Sequence, residues 1–316
     1  RMINRLYFIY NLTMTAIFCV LLGHIGGITS IPWLVEIIYS FHMALFFAAS
    51  SYVLAINGRV LSNKKKAQQL LIPYISICML AITLHGFTVD AIKGYFLSET
   101  RWGYWFLPTL WLLFCLIKIN MIKLFRSSTF LFIIIAVAIE FFLCLCKLIL
   151  PPSFVEFFCI RHLVTNWPLF ILGYLYHDLH ILHGKKILLF SLFVWISVLF
   201  LSLALGISNE IIRMCGRFAA VLFFFNTYQR ILNVDIAYIT SIGRASLTIY
   251  LIHYFLLQFI PACKMGGIYS LLISLFGSCL IILICCIWHY QVIQRFNILQ
   301  VLFCGKISLL KSIINK

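Results

Sequence analysis

Residues 128–149 read STFLFIIIAVAIEFFLCLCKLI, an apolar run interrupted by one carboxylate, Glu140, and one cation, Lys147. A helix that crosses a bilayer needs roughly 20 such residues, and a run this long with so little charge has no place on the surface of a water-soluble protein. The same texture recurs along the chain. Spans are predicted at about 8–28, 33–56, 69–88, 103–124, 128–149, 166–182, 187–206, 209–228, 243–261 and 267–290. The full 316 residues are 64% hydrophobic and 10% charged, which leaves no room for a large soluble domain. The expected fold is all-α, a polytopic membrane bundle of about ten transmembrane helices.

The net charge of +16 would suit a nucleic-acid binder, but its distribution argues for a different partner. Most Lys and Arg fall in alternate loops: Arg1 and Arg5; Arg59, Lys64, Lys65 and Lys66; Lys118, Lys123 and Arg126; Lys185 and Lys186; Arg230 and Arg244; and Arg295, Lys306, Lys311 and Lys316. This positive-inside bias puts both termini in the cytoplasm, with membrane lipids and no nucleic acid as the partner of the charge. The tail 291–316 alternates apolar and basic residues. It reads as an amphipathic segment on the inner leaflet, apart from a transmembrane domain over 1–290. The first span is too long for a cleavable signal, and Arg1 in place of Met points to a few missing leading residues. No repeat of helix-pair length supports an inverted-repeat carrier.

Ionisable groups inside apolar runs are costly and are the first candidates for chemistry. His24, in LLGHIGG at 21–27, stands among glycines that leave room for close approach, and imidazole suits a general base or an acyl acceptor. A polar helix end bonded to a loop carbonyl would look the same. Glu36 and His42 are six apart in the second span, so they do not share a face. Glu36 would partner a neighbouring helix, near His24, or sit among outer headgroups. Arg213 and Arg217 are four apart and share a face. They would meet a substrate phosphate or carboxylate, or be neutralised by Glu210 and lipid. Glu140 would be the partner of an arginine or part of a cavity. Lys64, Lys65 and Lys66 orient the chain or grip a phosphorylated cofactor. His85, His253 and His289 read as single histidines near span ends. The twelve cysteines mostly sit in apolar runs without paired spacing, and HDLHILHGKK at 177–186 lacks a clear ligand set, so no metal is expected.

Six segments in order resemble the acyltransferase 3 family of integral membrane acyltransferases: LLGHIGG at 21–27, SFHMALFFAASSYVLA at 40–55, KKKAQQLLIPYIS at 64–76, YWFLPTLWLLF at 104–114, WPLFILGYLY at 167–176 and IGRASLTIYLIHYFLLQ at 242–258. The resemblance implies a stand-alone O-acetyltransferase without an appended esterase-like domain. It implies that acetyl-CoA, the acyl donor, enters from the cytoplasm and meets Lys65, Lys66, Gln69, Tyr74, Arg230 and Arg244. It implies His24 as base or acyl carrier, assisted by Glu36 and His42, with Trp105, Arg213 and Arg217 at the acceptor. The sequence departs from the family pattern at Tyr10, Thr13, Ala44, Ser51 and Gln69, and Thr13 and Gln69 stand where the family carries positive charge.

The function expected from all this is acyl transfer in the bacterial inner membrane, from acetyl-CoA to a glycan or lipid-linked sugar acceptor. Two other classes remain open: a polysaccharide or lipid carrier, and a non-catalytic family member in a glycan-assembly complex.

Overall fold

A computed structural model describes residues 7–58, 62–122, 128–207, 209–262 and 267–309. The expectations on Arg1, Arg5, Arg59, Lys123, Arg126, Lys311, Lys316 and the tail beyond 309 fall outside the described residues, as does the His85 side chain.

The helices are α1 Tyr7–Ile28, α2 Pro32–Tyr39, α3 His42–Asn57, α4 Asn63–His85, α5 Val89–Phe96, α6 Phe106–Asn120 and α7 Thr129–Ile149. They continue as α8 Pro152–Phe157, α9 Ile160–Asp178, α10 Lys185–Leu205, α11 Glu210–Ile231, α12 Ala237–Leu257, α13 Gly267–Ile287 and α14 Asn297–Cys304. A π-helical turn, Trp288–Ile293, follows α13. Among the described residues each predicted span contains helix, and there is no strand. Among the described residues six helical stretches are long and apolar enough to cross a membrane: Tyr7–Ile28, Pro32–Asn57, Asn63–Leu84, Thr129–Ile149, Lys185–Leu205 and Gly267–Ile293. The protein is a helical, multi-pass membrane protein.

Local chemistry sets the helix ends. Ser62, Thr88, Ser128 and Asn209 cap α4, α5, α7 and α11 by accepting from the backbone three residues on, which satisfies an otherwise orphaned N–H. Gly206 and Gly305 close α10 and α14 in the left-handed conformation. Three boundaries differ from the sequence reading. The second span is broken at Ser40 and Phe41. The Ser62 cap draws the Lys64, Lys65 and Lys66 run out of its expected loop and into the first turn of α4. The outer loops expected at 89–102 and 150–165 contain α5, α8 and the start of α9.

The chain forms two compact units, residues 1–56 with 172–289 and residues 57–171 with 290–316. In the first unit α1 packs against α2, α11, α12 and α13. Leu12, Ala16, Ile17, Leu21 and Ile25 of α1 are fully buried, so this helix is apolar all round because it is enclosed by protein. Gly243 of α12 lies against the Tyr10 carbonyl, where a Cβ would collide. By contrast α10 pairs with α11 and only 6% of its apolar window is buried, so its wide apolar face is left for lipid.

In the second unit α4 packs against α5, α6 and α14. Trp167 donates to the Ala136 carbonyl at 2.9 Å and ties α9 to α7. Arg101 is 4% exposed. Its guanidinium donates to the carbonyls of Ser98, Glu156 and Phe157 at 2.9, 3.3 and 2.6 Å, clamping the segment after α5 to the end of α8.

Candidate active site

The first unit gathers three histidines and two tyrosines. His24 lies one turn before the end of α1 and is half-buried. Its Nε2 is 3.2 Å from the Tyr254 hydroxyl, and its ring stands 5.4 Å from that of His253 and 6.4 Å from that of Tyr39. Tyr39 in turn lies 5.0 Å from the His42 ring. His42 donates from Nδ1 to the Ile38 carbonyl at 2.8 Å, which leaves Nε2 as an acceptor. His253 does the same toward the Tyr250 carbonyl at 2.6 Å, and its Nε2 is buried without a hydrogen-bond partner. Gly23 permits this crowding, because a Cβ there would press on the Tyr39 ring at 2.8 Å.

Tyr39 also lines a cavity of about 240 Å³ with Glu36, Ser40, Ser202, Arg213, Gly216 and Arg217. The cavity is walled by α2, α10 and α11 at the end where the charge bias places the outer face. Glu36 accepts from Ser202 at 2.8 Å. The expected pairing of Glu36 with a group near His24 is therefore not formed. Glu36 lies about one turn before Tyr39 on the cavity side of α2 and meets Ser202 of α10 instead. Arg213 meets Glu210 at 3.6 Å. Arg217 reaches deeper, and its Nη1 is buried with no hydrogen-bond partner. Tyr39 thus connects the imidazoles to the cationic cavity, and the break after α2 brings this about. Ser40 ends the helix by donating to the Ile37 carbonyl at 2.6 Å and accepts from Trp195 of α10 at 3.0 Å.

The family model for the acyltransferase domain matches residues 7–305. The chain belongs to this acyltransferase family. No curated protein and no solved structure matches it. The family makes this multi-pass protein a membrane acyltransferase, and the match embraces both the imidazole cluster and the cavity.

The residues that the sequence reading assigned to the donor are more dispersed in this acyltransferase. Lys65 is exposed on the first turn of α4 and Gln69 is exposed one turn on. Gly305 at the end of α14 closes on the backbone of Gln68 and Gln69. Lys66 stands over the Phe114 ring at 4.0 Å, and the Tyr74 hydroxyl donates to the Tyr95 carbonyl. These four belong to the second unit. Arg230 and Arg244 belong to the first, where Arg244 stands over the Tyr10 ring at 5.2 Å. Trp105, in the second unit, stacks on His162 at 4.0 Å. His162 is also 3.2 Å from the Glu99 carbonyl, and Glu99 pairs with Arg161 at 2.8 Å. Of the assigned residues, His24, Glu36, His42, Arg213 and Arg217 come together, through Tyr39.

Sequence reasoning overlooked Tyr39, Tyr254 and His253. His253 was read as an isolated histidine, although IYLIHYFLL puts it beside Tyr254. His289 fits the simpler reading, with Nδ1 2.7 Å from the Thr248 hydroxyl. Among the described residues Glu140 pairs with no arginine. Cys144 approaches Oε1 at 3.8 Å and Oε2 is buried unpartnered. Among the described residues no group of three or more His, Cys, Asp or Glu is placed to hold a metal. His177, His180 and His183 line a separate cavity of about 220 Å³ with Tyr52 and Gln229. There His177 is paired with Asp178 at 2.7 Å.

Proposed function

We propose that the protein transfers the acetyl group of acetyl-CoA to a hydroxyl of a cell-surface polysaccharide or its lipid-linked precursor at a bacterial inner membrane. The observation that carries this reading is His24, a half-buried imidazole held by Tyr254 and separated by one tyrosine ring from a polar cavity. The acceptor occupies that cavity. Its hydroxyl reaches past the Tyr39 ring and gives its proton to the His24 imidazole as the oxygen bonds to the acetyl carbon; the carbon–sulfur bond breaks, and the imidazolium returns that proton to the thiolate, which leaves as free CoA. In the two-step form of the reaction His24 first carries the acetyl group itself. His42 orients Tyr39, and Glu36 accepts from acceptor hydroxyls at the cavity lip. Lys65, Lys66, Gln69 and Tyr74 serve the donor, whose phosphates suit Lys and Arg.

Membranes carrying the protein are supplied with acetyl-labelled CoA, and label in glycan is measured. His24→Ala is expected to abolish transfer, with a loss of at least about a hundredfold, the lower range for a general base, while the protein still accumulates. Transfer that survives the substitution removes His24 from the mechanism. A protein that moves glycan with no need for the donor is a carrier.

A further inference from the structure

The cavity outside Tyr39 is unequal in charge along its depth. Its lip carries Glu36, which is exposed and engaged by Ser202, and Arg213, which is exposed and faces Glu210. Arg217, which is half-buried, lines the same cavity with Tyr39. Arg217 Nη1 is enclosed by protein and has no hydrogen-bond acceptor, and no carboxylate lies within ion-pair distance of that guanidinium among the described residues. A guanidinium held in a membrane bundle with an enclosed, unused N–H is costly unless an anion completes it. The site is built around this group. Arg213 and Arg217 present one face of α11. Gly216 between them brings α11 against Val198 of α10, where a Cβ would press at 2.8 Å. At about 240 Å³ the space falls just below the usual range of ligand cavities and admits a single sugar ring, not a length of chain.

We propose that the acceptor is an anionic sugar, and that Arg217 binds the carboxylate or phosphate borne on the ring that is acylated, with Arg213 above it. This rests on the reading of the cavity as the acceptor site. A planar guanidinium pairs with either anion through two parallel hydrogen bonds. That pairing fixes the ring in one orientation and so selects which hydroxyl is presented toward Tyr39 and His24. A neutral sugar leaves Arg217 uncompensated and is discriminated against for that reason.

The test uses the full-length protein in phosphatidylcholine nanodiscs without any acyl donor, with methyl glucuronide, glucose 1-phosphate and neutral methyl glucoside as probes and binding read by calorimetry. At least one anionic sugar is expected to bind about tenfold or more tightly than methyl glucoside, the size of one charged hydrogen-bonded contact. Which of the two does so separates a carboxylate from a phosphate. Arg217→Gln is expected to erase that preference, and Arg217→Lys to keep part of it. Equal binding of all three sugars, or absence of binding by both anionic ones, overturns the proposal, as does a preference that survives Arg217→Gln. If Arg217→Gln fails to fold, the wild-type preference and the lysine variant decide. Discs doped with phosphatidylglycerol give the last arm: if that lipid displaces the anionic sugar, a bulk headgroup owns the site and the proposal falls. Because no donor is present, failure here removes the anionic acceptor and leaves acetyl transfer through His24 to be judged by its own assay.

Discussion

At the scale of single residues the site depends on how each imidazole is held. Tyr254 contributes one hydroxyl 3.2 Å from His24 Nε2 and a ring 4.2 Å from that of His253. It touches the His24 imidazole proposed as the base and does not line the cavity, so its role in that proposal is to position. Tyr254→Phe keeps the ring packing and removes the hydroxyl. The expected result is a kcat lower by roughly three- to tenfold, the size of one hydrogen bond of about 1 kcal/mol, with an unchanged KM for the acceptor. A parallel rise in KM would instead mark Tyr254 as an acceptor contact. The ionisable members of the site, His24, Glu36, His42, Arg213 and Arg217, were legible in the sequence because a charge or imidazole inside an apolar run is rare and costly. Tyr39 and Tyr254 were not. A tyrosine in a membrane helix is unremarkable by composition, and only the neighbours it meets in the fold give it a task.

At the scale of elements, apolar runs long enough to cross a bilayer place the helices well, because length and hydropathy alone decide them. The break between α2 and α3 left no such trace. Hydropathy continues through Ser40 and Phe41, and the interruption is held by the Trp195 indole from α10, a contact far away in sequence. Polar stretches also misled the reading at α9. It starts at Ile160 because Arg161 and His162 are engaged by Glu99, although by composition these residues resemble a loop. Close approach of helices tells the same story. Gly243 of α12 faces the Tyr10 carbonyl of α1, and an added Cβ would overlap that oxygen. Because the obstacle is backbone, a side-chain rotation cannot relieve it. Gly243→Ala is expected to force α12 away from α1, lowering stability by about 1–3 kcal/mol, the usual cost of overpacking. Thermal unfolding in detergent measures this. A midpoint equal to wild type would show that the two helices separate without cost.

At the scale of the whole molecule, the assigned chemistry divides between the two units. The imidazoles and the cationic cavity belong to the first. Lys65, Lys66, Gln69 and Tyr74, four of the residues assigned to the donor, belong to the second, where Ser62 nucleates α4 directly under the basic run. Three lysines in the first helical turn oppose the helix dipole, which favours acids there. No first-turn acid offsets them in α4, so a bound polyanion would relieve the repulsion. Lys66 is already placed over the Phe114 ring at 4.0 Å, which holds its ammonium in one position. If this turn meets the donor phosphates, Lys66→Gln raises the KM for acetyl-CoA by roughly three- to tenfold, the range for one or two solvent-screened charged contacts. It leaves the anionic-sugar preference of the cavity unchanged, since that preference is set by α11. The KM increase should shrink as ionic strength rises, because the wild-type contact is itself screened. A lower kcat with unchanged donor KM would assign Lys66 to folding of α4 on α6 and return the basic run to its orienting role alone. A loss of sugar preference in the same variant would mean that the two halves of the chemistry are not separable by unit.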